Sequence, residues 1–223
     1  MSVEALTHSW RESEFAVVDL ETTGLDPASD EILSFAMVPV RGGRVLPGEL
    51  VSTLVAPRRP PAADSIRIHG LREADLLDQQ PLEAQLELIG DALAGRILVA
   101  HFAFIERGFL SRVLPVERPL TPYVIDTMQL GRAVISAEGG RPPEFPSLGQ
   151  LAELLGLPVH RPHHADGDAL TTAQVFIALA SRLNRKRDAT VAELLAARPG
   201  RRLFSGRLGR RRSAPGPAGP GGG

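Results

Sequence analysis

The chain has 223 residues, 43% hydrophobic and 23% charged, enough for one well-buried domain plus some tail. It has no cysteine, which excludes disulfides and thiolate zinc sites, and no apolar run long enough to span a bilayer. The net charge of −1 conceals an asymmetry: residues 198–223 hold seven arginines and no acid, leaving 1–197 at −8.

An acidic body needs cations to accept a phosphate backbone, whereas a basic tail attracts one. Lys186 is the only lysine, so the arginine excess reads as composition bias more than as a binding signature. Met1 to Trp10 has neither a basic start nor an apolar core, which predicts no secretory signal and a cytoplasmic protein.

Residues 1–14 read as a short lead-in. The run Phe15 to Leu20 then predicts a buried strand around Val17-Val18. Asp19 and Glu21, two residues apart, share one strand face. Thr22-Thr23-Gly24 ends the strand, with Gly24 suited to a tight turn. Two acids side by side repel unless a cation lies between them, and oxygen ligands suit Mg²⁺ or Mn²⁺. An ordinary edge strand with a solvated face is the other reading.

Ile32 to Val40 and Val45 to Val55 predict two further strands, joined by the hairpin turn Arg41-Gly42-Gly43-Arg44. Pro57 to Pro61 is an irregular link, and Ser65 to Leu71 reads as a short structured loop. Helix and strand then alternate. Leu82, Leu86, Ile89 and Leu93 mark one helix face. Ile97 to Ala100 is a short strand, and Phe102, Ile105, Phe109 and Val113 mark a helix. Tyr123-Val124-Ile125 is a third short apolar run, ending at Asp126-Thr127. Ser147 to Gln150 fits a capping box, with Gly156 after the helix it opens. Ala169 to Leu183 is a long helix, and Thr190 to Glu193 starts a last short one. Ser213 to Gly223 is Pro/Gly low complexity, expected to be disordered. A meander followed by β-α-β-α predicts an α/β protein with a mixed sheet and helices on both faces.

Three later sites complete the first carboxylate pair. Glu106 lies on the helix that starts near His101, Asp126 ends a strand, and His163-His164-Ala165-Asp166-Gly167-Asp168 opens the long helix. Each has a plainer reading. Glu106 beside Arg107 fits a solvated helix face, and Asp126 fits a helix cap. His160, His163 and His164 fit surface positions or a weak zinc cluster. Asp166 and Asp168 suit the macrodipole of a first helical turn.

Taken as an ordered set, Asp19-Leu20-Glu21-Thr22-Thr23-Gly24, the His101-led helix with an acid, and His163-x-Ala165-x-x-Asp168 resemble the DEDDh 3′–5′ exonucleases. That group includes the proofreading epsilon subunit of bacterial replicative polymerase and ribonuclease T. The resemblance covers about 14–183. Ile68 to Leu71, Asp126-Thr127 and Ser147-Leu148 through Gly156 support it. It implies a ribonuclease H-like five-stranded sheet of order 3-2-1-4-5. It divides the chain into lead-in 1–14, exonuclease domain 15–183, short helical extension 184–200 and tail 201–223.

The resemblance also implies roles. Asp19, Glu21, Glu106 and Asp168 match ligands of two divalent cations, Mg²⁺ or Mn²⁺. His163 matches the general base. Asp126 matches a frequent residue outside the ligand set. Thr22, Thr23 and Gly24 would hold the terminal nucleotide, with Leu25 and Leu71 against its base. The middle motif departs from the usual His-Asn-Ala-x-Phe-Asp. Here Glu106 replaces Asp and Phe102 replaces Asn, and Phe102, four residues earlier, is expected on the face of Glu106, either stacking on a base as a substrate-binding residue or filling space beside the metals. The implied reaction is metal-dependent removal of nucleoside 5′-monophosphates from single-stranded or frayed DNA 3′ ends, beside a DNA polymerase and away from any membrane. RNA 3′-end trimming, or a nucleic-acid-binding module weakened in catalysis, are the alternatives.

Overall fold

The structure, a computed structural model, describes residues 4–184 and 187–199. The tail 201–223 lies outside the described residues.

A mixed sheet forms the centre. The first strand, β1 (Glu14–Thr22), pairs antiparallel with β2 (Ile32–Arg41). Beyond β2 come β3 (Arg44–Val45) and β4 (Val51–Leu54), both antiparallel to it. On its other edge β1 pairs in parallel with β5 (Ile97–Ala100), and β5 with β6 (Val124–Asp126). The order β3-β2-β1-β5-β6, with β4 also on β2, is the expected 3-2-1-4-5 with its third strand broken in two. Pro47-Gly48 causes the break: a 3-10 turn at Pro47–Glu49 interrupts the ladder, since proline donates no hydrogen bond. Gly42 and Gly43 turn the β2–β3 hairpin with φ of 61° and 71°, as a two-residue loop of mirror-image twist requires.

The helices are α1 (Ala63–His69), α2 (Glu73–Leu76), α3 (Leu82–Leu93), α4 (Phe104–Val113), α5 (Thr127–Ala137), α6 (Leu148–Leu155), α7 (Ala165–Leu183) and α8 (Val191–Ala196). Two cores flank the sheet, sorted by the alternation of β1. Phe15 and Val17 join a core with residues of α5, α6, α7 and α8, while Ala16, Val18 and Leu20 join one with α3 and α4. Asp19 and Glu21 continue the odd-numbered face, so they point to the side of α7. Trp10, ahead of β1, is fully buried against Phe15 and Phe176, with ring centroids 6.3 and 5.8 Å away. Its amide donates to Ala189 O at 3.0 Å, so segments from both ends of the described chain close this core together.

Three local expectations change. Residues 65–69 belong to helix α1 instead of a loop, closed by Gly70 at φ 74°. The long helix begins at Ala165, four residues before Ala169, which places Asp166 and Asp168 in its first turn. Phe102 is not on α4: the helix starts at Phe104, and Phe102 has φ 59° in the turn before it. The Ser147–Gln150 capping box and the left-handed Gly156 stand as expected. No helix among the described residues is long and apolar enough to cross a membrane.

Candidate active site

The cleft lies at the carboxyl ends of the parallel strands β1, β5 and β6, where an α/β sheet leaves a crevice. β1 outruns β5, whose last pairing with it is Val17↔Val99, so Asp19 and Glu21 project past the parallel ladder. A register shift between Glu21 and Thr22 against β2 twists the strand end away from the sheet.

Each carboxylate arrives from a different element. Asp19 and Glu21 come from β1, and Asp168 from the first turn of α7. Carboxylate oxygens of these three lie within 4.8 Å of one another, the convergent metal-capable set among the described residues. Glu106 comes from the first turn of α4. It is 4% exposed, and its Oε2 has no hydrogen-bond partner. It lies outside the set of three but beside it, since its charge acts on Asp19.

The electrostatics show four acids resisting ionisation together. Burial raises the Asp19 carboxyl well above its usual range, and Glu106, Glu21 and Asp168 add to the rise. Burial, then Asp168, pushes Glu21 up to about 7. Burial, with a smaller contribution from Asp126, pushes Glu106 up to about 8. Asp168 is raised by burial, against the pull of the His163 amide and the nearby His163 and His164 rings. An all-oxygen set that cannot hold its charge alone, with an orphaned buried oxygen at its edge, fits hard divalent cations.

The loop after β1 is braced from within. Thr22 Oγ1 donates to Gly24 O at 2.6 Å, and Thr23 Oγ1 donates to Asp30 Oδ1 at 3.1 Å. The Asp26 amide donates to Asp30 Oδ2, and the Ala28 amide and Ser29 hydroxyl donate to Asp26. Gly24 is favoured by proximity and not by φ: a Cβ there would meet the Asp30 carboxylate at 2.4 Å and displace it from its bonds within the loop. Arg112 of α4 donates to Pro27 O, which fastens this loop to the helix that carries Glu106. Leu25 stands out at the loop tip, 73% exposed. Leu71, half-buried, donates its amide to Nδ1 of the buried His69 at 3.0 Å, and the Thr22 backbone opposes the lowering of that ring by burial. So α1 brings Leu71 beside the strand end.

On the other side, the His163 amide donates to Asp168 Oδ2 at 2.8 Å, and His163 takes φ 60° to do so. Its ring is exposed. His164 Nδ1 meets His163 O at 2.7 Å. Gly167 lets the 160–161 backbone pass over α7, since a Cβ there would meet His160 O at 2.3 Å. His160 is held apart, its amide donating to Thr171 Oγ1 at 3.0 Å. The three histidines form no metal cluster with one another among the described residues. Asp126 caps α5, accepting from the Met128 and Gln129 amides at 2.8 and 3.4 Å.

A family model described as Exonuclease, of the RNase T type, matches residues 16–176. The chain belongs to this exonuclease family. It is 36% identical over 169 residues to a DNA polymerase III subunit epsilon-like protein of Rhodobacter capsulatus, covering 74% of this chain and 23% of that protein. It is 34% identical over 172 residues to DNA polymerase III PolC-type of Thermotoga maritima, covering 74% and 12%. It therefore spans less than a quarter of the length of these two curated relatives. Among solved structures it resembles exonuclease X in complex with 5′ overhanging duplex DNA, with a TM-score of 0.60, 26% identity and coverage of 81% of this chain and 99% of that one. Exonuclease I of E. coli in complex with a dT13 oligonucleotide shares the fold, at a TM-score of 0.66 and 18% identity over 78% of this chain and 42% of that one.

Sequence reasoning named His101 only as the lead of the middle motif and gave it no role. His101 is buried, with Nδ1 3.0 Å from Thr127 Oγ1 and Nε2 donating to Pro146 O at 3.0 Å. Burial pulls its pKa down to about 4, so the ring is neutral near neutrality. The signal was its place between a strand end and a helix, but the partners come from β6–α5 and from the loop before α6.

Proposed function

We propose that this protein is a divalent-metal-dependent 3′–5′ exonuclease that removes nucleoside 5′-monophosphates from single-stranded or frayed DNA 3′ ends. The observation that carries the reading is the convergence of Asp19, Glu21 and Asp168 within 4.8 Å at the sheet's carboxyl edge, in a chain of the exonuclease family.

Asp19, Glu21 and Asp168, with Glu106 at the edge, would hold two divalent cations, Mg²⁺ or Mn²⁺. When bound, such ions stabilise charge on the phosphate and leaving oxygens and make water more acidic. His163 takes the proton of the attacking water, a task suited to imidazole near neutrality. The water oxygen bonds to phosphorus, the bond to the upstream O3′ breaks, and that oxygen leaves to be protonated. The Asp168–His163 amide bond holds the base-bearing turn against the carboxylates. The braced Thr22-Thr23-Gly24 turn presents backbone to the terminal nucleotide, with Leu25 and Leu71 against its base. The epsilon-like and PolC-type relatives support a partnership with a DNA polymerase.

The test is incubation of the full chain with end-labelled single-stranded DNA and RNA in Mg²⁺, Mn²⁺ or EDTA. Stepwise shortening of DNA from the 3′ end, abolished by EDTA and restored by Mn²⁺ or Mg²⁺, is expected. Undiminished cleavage in excess EDTA overturns the two-metal reading, and faster trimming of RNA reassigns the substrate.

A further inference from the structure

The phenylalanines of this chain are divided in a way the chemistry above does not use. Among the described residues, Phe15, Phe35, Phe109 and Phe176 are buried core residues. The other three, Phe102, Phe104 and Phe145, are not buried, and each lies on a segment next to the buried His101. The Phe102 ring stands edge-on to His101 at 4.8 Å between centroids and 6.5 Å from the Phe104 ring. Phe104, the first residue of α4, is 69% exposed and lies two residues before Glu106. Phe145 is 65% exposed and adjoins Pro146, whose carbonyl accepts the buried His101 Nε2 bond.

Large rings left in water cost free energy, and here they sit on the segments that follow β5 and precede α6, at the sheet edge where the carboxylates gather, which makes them candidates for a binding surface. The Phe102 backbone sharpens this. Its φ of 59° is a conformation that Asn enters readily and bulky side chains rarely adopt. The chain keeps a ring there at a conformational cost, which marks the ring as the feature retained.

We propose that Phe102, Phe104 and Phe145 form a shelf on which the bases of a DNA single strand stack, upstream of the phosphate to be cut. The inference rests on the exonuclease reading and deepens it by assigning what selects unpaired strands. Every base offers a π-face, so the shelf reads no sequence. In a duplex those faces are already covered by neighbouring bases, so only a frayed or single strand can use it.

The test uses the full chain in Ca²⁺, a hard cation that suits the oxygen ligands, with oligonucleotides carrying 2-aminopurine at successive positions from the 3′ end. Stacking on protein rings quenches this base. The unmodified protein should quench it at positions next to the 3′-terminal nucleotide. Phe104→Ala and Phe145→Ala should each weaken binding about tenfold. Both residues are exposed, so melting temperatures should hold. Phe104→Trp should restore binding, Phe104→Leu should not, and Val116→Ala, in the exposed turn after α4, should change nothing. In Mn²⁺ the alanine variants should raise KM more than they lower kcat. The proposal is overturned by absence of quenching, by alanine variants that bind as tightly as the unmodified protein, or by Leu and Trp variants that behave alike. Quenching without hydrolysis in any metal would overturn the exonuclease reading and leave the shelf standing.

Discussion

The two segments that bring carboxylates to the cleft from either side of the sheet's edge are built in opposite ways. The turn after β1, residues 22–31, satisfies its polar groups internally: two threonine hydroxyls, Asp26 and Asp30 are all engaged within it. A side chain at residue 24 would push the Asp30 carboxylate off its bonds to Thr23 and the Asp26 amide. The turn before α4, residues 101–103, holds a bulky residue at positive φ and delivers a carboxylate whose Oε2 has no partner. The first turn opens with the Thr22-Thr23-Gly24 of the exonuclease pattern, and the segment that follows β5 departs from its pattern at three positions, Phe102, Ile105 and Glu106. Strain and an unpaired buried oxygen collect where the pattern is broken. The first region is thus braced by bonds within itself, and the second by bonds from His101 to Thr127 and Pro146, with the Glu106 Oε2 left for a bound cation.

The largest effect that would test the contrast comes from opposite the sheet. His163→Ala should cut turnover by a factor on the order of 10²–10⁴ with metal binding largely kept, because the His163–Asp168 link runs through the amide. His164→Ala and His160→Ala should cost far less. A crippled His164→Ala with an active His163→Ala would place the base one residue later.

Next is Glu106. If the second region needs its bound cation, Glu106→Ala should lower metal-dependent turnover on the order of 10²-fold or more. Glu106→Asp should also be impaired, being too short for a cleft shaped around glutamate. An alanine variant as active as the unmodified protein in saturating Mg²⁺ and Mn²⁺ would remove Glu106 from the site.

Stability against pH gives an intermediate effect. Glu21 and Glu106 titrate near 7 and 8 in the fold, against an ordinary glutamate value of 4.5. The fold therefore binds their protons more tightly than the unfolded chain does. Their favourable contribution is complete below about pH 4.5 and is lost as pH rises through 7 to 8, on the order of several kcal/mol in all. Thermal melts in EDTA should fall over that window, and Mn²⁺ should raise the melting temperature more at pH 8 than at pH 5.5. A metal-free melting temperature that climbs from pH 5 to 8 would contradict the buried, mutually repelling acids.

The smallest effect is also the sharpest. Phe102→Asn removes the ring and suits the left-handed backbone. It should stabilise the fold by about 1–2 kcal/mol, a rise of a few degrees in melting temperature, while raising KM for single-stranded DNA. A variant that is both less stable and unchanged in KM would mean the ring is held for packing alone.

Much of this was legible beforehand because local chemistry encodes local geometry. Two acids at a spacing of two on a strand must share a face, and Asp126 ahead of a helical run suits the cap it forms on α5. Ser147 and Gln150 close their box without help from elsewhere. Other features depend on partners distant in sequence. Trp10 becomes core only because Phe176 and Ala189 meet it. The 63–69 segment becomes a helix where the pattern read a loop, as its buried side chains, Ser65 and His69, are polar. Phe102 carries the apolar spacing of α4 but is turned out of it, while the Asp126 carboxylate lies among the Phe102 and Ala103 amides. The sequence by itself determined which faces are apolar and which residues bear charge, since periodicity and side-chain chemistry are properties of neighbours along the chain. Only the tertiary structure decided that Asp168 meets Asp19 and Glu21, and that the Phe102 ring stands edge-on to a buried His101. Such meetings depend on helix–sheet packing between distant segments, which no local pattern contains.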